Sequence, residues 1–280
     1  MAFFKATTCL LASGFFYVNE PVVTMRESPS NQSKVESQAI LSEPVSVEEK
    51  SGDWSRIVTP DGYAGWVLSE SLTEPSELYT ANLTISRLKA HLYHVKDTEY
   101  GPIRSLPLGS QLKGLDFSDA RWIKVVLPDG LEGYVQKGDV ETEPKLSSKQ
   151  DLVLFSQNFL GLPYTWGGRS SFGYDCSGFV QMLYAKIGID LQRNSGQQIL
   201  DSRFREIEIS QLEPGDLIFF GRTKENIGHV GLYIGNQEFI HATPRENKPW
   251  IRISHLSDFE WSGNSNTYYA YRTARQLIKN

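Results

Sequence analysis

Cysteine is nearly absent from this chain. Its 280 residues include two, Cys9 and Cys176, which is no basis for the disulfide framework of a small stapled scaffold. Positive charge is not concentrated either. Lys and Arg number 28 against 33 Asp and Glu, for a net charge of −5, and no basic block or stripe offers the footprint that nucleic acid requires. No apolar run approaches the roughly 20 residues of a membrane-crossing helix. The nearest, from Cys9 to Val18 behind Lys5, reads as a weak export signal without a clean Ala-x-Ala site, or as a strand entering the first domain. The compartment is open on this reading, cytoplasm or cell envelope. Histidine is scarce as well. His91 and His94 stand three apart with no third ligand in view, so neither a metal nor another cofactor is expected.

The first half contains a repeat. Trp54-Ser55-Arg56-Ile57-Val58-Thr59-Pro60-Asp61-Gly62-Tyr63-Ala64-Gly65-Trp66-Val67 returns, 68 residues later, as Trp122-Ile123-Lys124-Val125-Val126-Leu127-Pro128-Asp129-Gly130-Leu131-Glu132-Gly133-Tyr134-Val135. Each copy is a strand, a Pro-Asp-Gly turn and a second strand. Short β runs surround both copies, and two small SH3-like barrels satisfy the pattern because closure removes exposed edges. Trp54, Trp66 and Trp122 are expected in their cores.

A polar linker around Glu143-Pro144-Lys145 precedes a different pattern. Ser148 with Asp151 opens a helix that runs through Leu152, Phe155, Phe159 and Leu160 and stops at Gly161 and Pro163. A second helix starts at Cys176, aligns Phe179, Val180, Leu183, Tyr184 and Ile187 on one face, and ends at Gly188. A third covers Gln197 to Phe204. The period then changes to two, with strands expected over 216–220, 229–234, 238–241, 251–253 and 268–272. Helices followed by an antiparallel sheet describe an α+β domain.

Cys176 is the chemically conspicuous residue. A thiol at a helix N-terminus feels the positive end of the helix dipole, which lowers its pKa below about 8.5. The downstream histidines supply a base if the hairpin places them suitably. With a three-residue loop Gly235-Asn236-Gln237, Ile234 opposes Glu238, Gly231 opposes His241, and His229 and His241 share one face. A two-residue loop puts them on opposite faces. The Cys176 helix then packs over the shared face. Cys176 is the nucleophile, His229 its general base or imidazolium partner, and His241 orients His229. Backbone N–H groups at the helix start meet the oxyanion, and Gly178 keeps side-chain bulk away from the thiol.

Asp175-Cys176-Ser177-Gly178-Phe179, Gly228-His229-Val230-Gly231-Leu232-Tyr233-Ile234-Gly235 and Phe239-Ile240-His241-Ala242 resemble the NlpC-type (NlpC/p60) cell-wall cysteine peptidases. Pro163-Tyr164-Thr165-Trp166-Gly167-Gly168, Arg193-Asn194-Ser195 with Gln198, and Pro214-Gly215-Asp216-Leu217-Ile218-Phe219 follow the same pattern in the same order. The resemblance implies a papain-like α+β catalytic domain with a triad of Cys176, His229 and His241. It implies hydrolysis of peptidoglycan stem peptides between γ-D-glutamate and diaminopimelate or lysine, with Tyr164 beside the thiol. The repeat is similar to the bacterial SH3 domains that precede this domain in one branch of the family. There the first SH3-like domain narrows the cleft and a free N-terminal L-Ala is preferred, its ammonium held by an acid beside the nucleophile. Asp175 fits that role and also reads as a plain helix cap. Tyr63 is the matching aromatic and also reads as barrel core, while Ser177 and Ser195 add polar contacts.

The expected layout is a first SH3-like domain over 1–78, a second over 79–145 and the peptidase domain over 146–280, acting as a monomer on stem peptides or muropeptides. An N-acetylmuramoyl-L-alanine amidase and a non-catalytic wall-binding protein are the alternatives.

Overall fold

The computed structural model describes residues 16–75, 77–142, 146 and 148–278; Cys9 and most of the run around it lie outside them. Val18, at the end of that run, closes β1 (Phe16–Val18), a strand of the first sheet. The sheet continues with β2 (Val22–Arg26), β3 (Val35–Ile40), β4 (Pro44–Ser51), β5 (Trp54–Val58), β6 (Ala64–Leu68) and β7 (Leu72–Thr73), hydrogen-bonded in the order β3-β2-β6-β5-β4-β1-β7. The second comprises β8 (Leu83–Ile85), β9 (Lys89–Tyr93), β10 (Pro102–Pro107), β11 (Gln111–Asp116), β12 (Trp122–Val126), β13 (Glu132–Gln136) and β14 (Val140–Glu141). Its order, β10-β9-β13-β12-β11-β8-β14, matches the first strand for strand.

The Pro-Asp-Gly turns explain this likeness locally. Gly62 and Gly130 adopt left-handed backbone at φ 78° and 84°, where an L side chain is strained. In each copy the turn closes with equivalent bonds, Thr59 N–H to Tyr63 O at 3.0 Å and Leu127 N–H to Leu131 O at 2.9 Å. Alternate residues of the strands enter small apolar cores, around Val18, Met25, Ile57 and Val67 in one domain and Leu92, Leu112, Ile123 and Val135 in the other. Trp66 and Trp122 are buried as expected, whereas Trp54 is half-buried.

Closure is not what protects the β3 edge. The ladder begins at β3, and a loop of the third domain covers it: Trp166 Nε1–H donates to Val35 O at 3.0 Å and Arg169 N–H to Gln38 Oε1 at 3.0 Å. An edge strand capped by a neighbouring domain leaves fewer unpaired backbone groups open to other chains.

The third domain starts with α1 (Lys149–Ser156), capped where Ser148 Oγ accepts from Asp151 N–H at 3.1 Å. A hairpin of β15 (Arg169–Ser170) and β16 (Gly173–Tyr174) leads into α2 (Cys176–Ala185). The third helix, α3 (Ser195–Gln198), is a single turn, and Phe204 belongs instead to β17 (Phe204–Ile207). With β18 (Leu217–Thr223), β19 (Asn226–Gly235), β20 (Glu238–Thr243), β21 (Trp250–His255) and β22 (Tyr271–Leu277) it forms an antiparallel sheet ordered β17-β22-β18-β19-β20-β21. The last strand thus begins three residues later than its aromatic pattern suggested.

The sheet has two apolar faces. Val230, Leu232, Ile240 and Ala242 pack with Phe179, Val180, Leu183 and Tyr184 of α2; each large side chain buried there contributes roughly 2 kcal/mol. Ile218, Phe220, Tyr233 and Phe239 face the other way, onto Trp261 and Tyr269. Among the described residues no helix is long and apolar enough to cross a membrane.

Candidate active site

The thiol is placed by its neighbours in sequence. Asp175 caps α2, its Oδ1 accepting from Gly178 N–H at 2.7 Å. A Cβ at position 178 would stand 2.1 Å from the Gly168 carbonyl oxygen. Gly178 therefore lets α2 pass close to the Gly168 loop; it is not there to clear space for the thiol. The expected drop in the thiol pKa is also reversed. Burial pushes the Cys176 thiol up to about 12 and the Asp175 carboxylate adds to this, against backbone N–H groups of Val230 and Ser177. Desolvation of the thiolate outweighs the helix terminus.

His229 and His241 face one another, Nε2 to Nδ1 at 2.7 Å. They reach the same face by a route other than the expected loop. Asn236 and Gln237, at φ 53° and 60°, form a two-residue turn with Gly235 opposite Glu238. Ile234 is the extra residue between the Tyr233–Phe239 and Gly235–Glu238 pairs. This bulge restores the parity that a two-residue turn alone would have inverted. The expected Ile234–Glu238 pair is absent, and the shared face survives.

That face is not the one α2 covers. The imidazoles sit among Phe239, Trp261 and Tyr269, with ring centres 4.6 Å apart for His241–Trp261 and 5.5 Å for His229–Tyr269. Cys176 meets the sheet from the α2 side, packed against the cluster that contains Val230. The β18–β19 register shifts immediately beyond the Phe220–His229 pair, and such irregularities re-aim adjacent side chains. Cys176 and His229 nevertheless line one cleft of about 580 Å³.

Behind the pair, His241 Nε2 lies 3.0 Å from Ser254 Oγ, and Arg252 donates to the same oxygen. Burial pushes His229 down to about 3, helped by the positive charges of Arg252 and Arg245. Burial and its charged neighbours hold His241 well below the ordinary imidazole range. Both rings are neutral at pH 7.

Tyr63, Tyr164, Asp175, Ser177 and Ser195 line the cleft with Cys176 and His229, whereas His241 stands behind His229. Tyr63 O–H donates to Glu36 Oε2 at 2.7 Å; burial raises its pKa and that bond adds to the effect. Burial also holds the Tyr164 phenol well above its ordinary value. Asp175 is otherwise engaged. Arg193 donates through Nη1 to Oδ1 at 3.0 Å and through Nη2 to Oδ2 at 2.5 Å. Ser177 O–H donates to Asp175 Oδ1 at 3.2 Å, and Arg193 Nε–H reaches Ser37 Oγ of the first SH3-like domain at 2.9 Å. Sequence reasoning missed Glu36, Ser254 and Trp261. It noted Arg193 within a motif and gave it no task.

The first SH3-like domain is fixed as a wall of the cleft. Besides the β3 contacts, Gln181 Nε2–H donates to Asp61 Oδ2 at 2.9 Å and Arg169 pairs with Glu43 at 3.1 Å. The second docks on the same hairpin, Leu108 N–H donating to Ser171 Oγ at 3.0 Å. Among the described residues no group of three or more His, Cys, Asp and Glu is arranged to hold a metal ion.

Comparison with known proteins agrees with this architecture. The NlpC/P60 family model matches residues 161–269 and the bacterial SH3 domain model residues 21–73. A gamma-D-glutamyl-L-lysine dipeptidyl-peptidase of Bacillus cereus is 33% identical over 242 residues, covering 78% of this chain and 70% of the relative. The chain belongs to the NlpC/P60 family. The Bacillus subtilis enzyme of the same name is 30% identical, across 76% of this chain and 74% of its own. A crystal structure of an NlpC/P60 family protein from Bacillus cereus superposes with a TM-score of 0.81 at 25% identity, covering 95% of this chain and all of that one. As an NlpC/P60 member the protein is a cysteine peptidase, with SH3-like domains ahead of its α+β domain.

Proposed function

We propose that the protein hydrolyses peptidoglycan stem peptides at the bond between γ-D-glutamate and the following diamino acid, diaminopimelate or lysine, and prefers a free N-terminal L-Ala. The observation that carries this reading is that Cys176 and His229, the latter backed by His241, share a cleft walled by the first SH3-like domain. The Bacillus relatives named for γ-D-glutamyl-L-lysine dipeptidyl-peptidase activity support the bond class.

Cys176 starts as a neutral thiol and His229 as a neutral base. Since His229 Nε2 faces His241, Nδ1 is the nitrogen left for the thiol. That requires the His229 proton on Nε2, donated to His241 Nδ1, and the His241 proton on Nε2, donated to Ser254 Oγ. As sulfur attacks the γ-carbonyl, Nδ1 takes the thiol proton. Backbone N–H groups at the start of α2 meet the oxyanion, with Tyr164 beside them. The C–N bond then breaks, Nδ1 returns the proton to the leaving amine, and water hydrolyses the thioester.

The ammonium site is better supported at Glu36 than at Asp175. Both Asp175 oxygens already accept from Arg193, so a substrate ammonium would compete with a buried ion pair. Glu36 lines the cleft and accepts from Tyr63, leaving lone pairs for a charge-assisted bond. Asp175 then shapes the site and holds the helix.

Mass spectrometry of L-Ala-γ-D-Glu-L-Lys and its diaminopimelate counterpart tests the reading. Release of L-Ala-γ-D-Glu that Cys176→Ala abolishes is expected. Peptide-free sugar from a muropeptide would instead identify an amidase, and wall binding without any product a non-catalytic protein.

A further inference from the structure

The proposed reaction, on which the role assigned here to Arg245 rests, gives the cleft a direction. His229 returns its proton to the leaving nitrogen, so the departing diamino acid lies on the imidazole side of Cys176. Tyr269 stands on that side, its ring centre 5.5 Å from that of His229. Arg245 comes next. It follows β20, the strand that carries His241, and its guanidinium carbon lies 3.6 Å from the ring centre of Tyr268 and 5.3 Å from that of Tyr269. Arg245, Tyr268 and Tyr269 line the same cleft as Cys176.

The charge of Arg245 is incompletely met. Its carboxylate partner among the described residues is Glu260, with Oε1 at 3.8 Å from Nε, beyond hydrogen-bond length. The other arginines of the site are paired closely, Arg193 with Asp175 at 2.5 Å and Arg252 with Glu246. Stacking on an aromatic face leaves the in-plane N–H edge of a guanidinium open, and that edge matches a carboxylate bidentately. Arg222, 4.6 Å from the Tyr268 ring centre, adds positive charge behind the same ring. Lys34 also lines the cleft, but it belongs to the first SH3-like domain, close to Glu36 in sequence.

We propose that Arg245 binds a carboxylate of the leaving diamino acid. The group is the α-carboxylate of a terminal lysine or diaminopimelate, or the side-chain carboxylate of diaminopimelate. The cleft is then polar end to end, with Glu36 for the ammonium of the acyl half and Arg245 for the carboxylate of the leaving half. Arg245 selects substrate and takes no part in bond making.

Three substrates test this: L-Ala-γ-D-Glu-L-Lys, its C-terminal amide, and the diaminopimelate peptide with its α-carboxyl amidated. Arg245→Gln should raise KM for the lysine acid or for the diaminopimelate amide at least about tenfold more than for the lysine amide, which has no carboxylate on that residue, a difference typical of one lost charge-assisted hydrogen bond, with kcat little changed. Arg245→Lys should recover part of the loss. Sensitivity confined to the lysine acid assigns the α-carboxylate; sensitivity confined to the diaminopimelate amide, whose one carboxylate on that residue is the side-chain group, assigns the side-chain carboxylate. Equal loss on all three substrates, or no loss on any, overturns the inference while leaving the proposed reaction intact. Failure of the unaltered enzyme to cleave any of the three overturns the reaction, and the inference with it.

Discussion

Arg193 grips Asp175 with both terminal nitrogens, at 3.0 and 2.5 Å, while its Nε–H holds Ser37 of the first SH3-like domain at 2.9 Å. One buried cation thus joins the cap of the Cys176 helix to the strand that carries Glu36. The residue beside the thiol and the wall opposite it are positioned by the same guanidinium.

Removing Asp175 should therefore unsettle the fold before it reports on substrate. Asp175→Ala loses the helix cap and strands the Arg193 charge, a loss of about 3 kcal/mol or more. Asp175→Asn keeps a capping oxygen and should be milder by about 1 kcal/mol. Urea denaturation measures both. An alanine variant within about 0.5 kcal/mol of the parent would show that the pair contributes little.

Glu36→Gln should act on substrate instead. Glu36 is half-buried and bonded to Tyr63, so the amide fits the same space and loses the charge. KM for a peptide with a free N-terminal amine should rise about tenfold or more, while the N-acetylated peptide responds weakly. Equal responses would remove Glu36 from the ammonium site.

What was legible in the sequence was local. Turns at Gly62 and Gly130, the Ser148 cap and the start of α2 depend on neighbours a few residues away, and the motifs contain them. Partners chosen by docking left no such trace. Glu36 lies on an edge strand whose alternation distinguishes only core from surface. Phe204-Arg205-Glu206-Ile207 becomes a strand because it pairs with β22, a partner its own pattern does not reveal, so Phe204 alone reads as the end of a helix. The Ile234 bulge shows a third kind of gap. Parity was inferred from loop length, and a bulge changes parity without changing the strand pattern.

Ser254 tests the orientation of the imidazole pair. Its oxygen accepts from Arg252 and lies 3.0 Å from His241 Nε2, with a second lone pair left to accept the Nε2 proton that the proposed reaction requires of His241. Ser254→Ala removes that acceptor and should lower kcat about tenfold, comparable to one lost hydrogen bond, with KM little altered. Ser254→Thr retains the hydroxyl and should recover most of the rate. A matching fall in both variants would mean that packing, not the hydroxyl, is responsible.

The same buried groups set the pH range of stability. His229 is held near 3 inside the fold, while an unfolded imidazole titrates near 6.5. Between these values the unfolded chain takes up a proton that the native state refuses. The stabilisation is therefore complete above about pH 6.5 and is lost as pH falls towards 3, with a limiting slope of about 1.4 kcal/mol per pH unit for each such histidine. His241 acts in the same direction. Cys176 works at the other end: its folded value near 12 lies above the ordinary 9.0, so the unfolded thiol ionises first and stability falls as pH rises past about 9. A plateau from about pH 6.5 to 9 is expected in urea titrations. The double variant His229→Gln, His241→Asn should flatten the acid limb and leave the alkaline limb in place, whereas Cys176→Ala should keep the acid limb and move the onset of the alkaline one from about 9 to about 10, where burial still opposes ionisation of Tyr164 and Tyr269. An acid limb equally steep in the double variant would assign it to other groups.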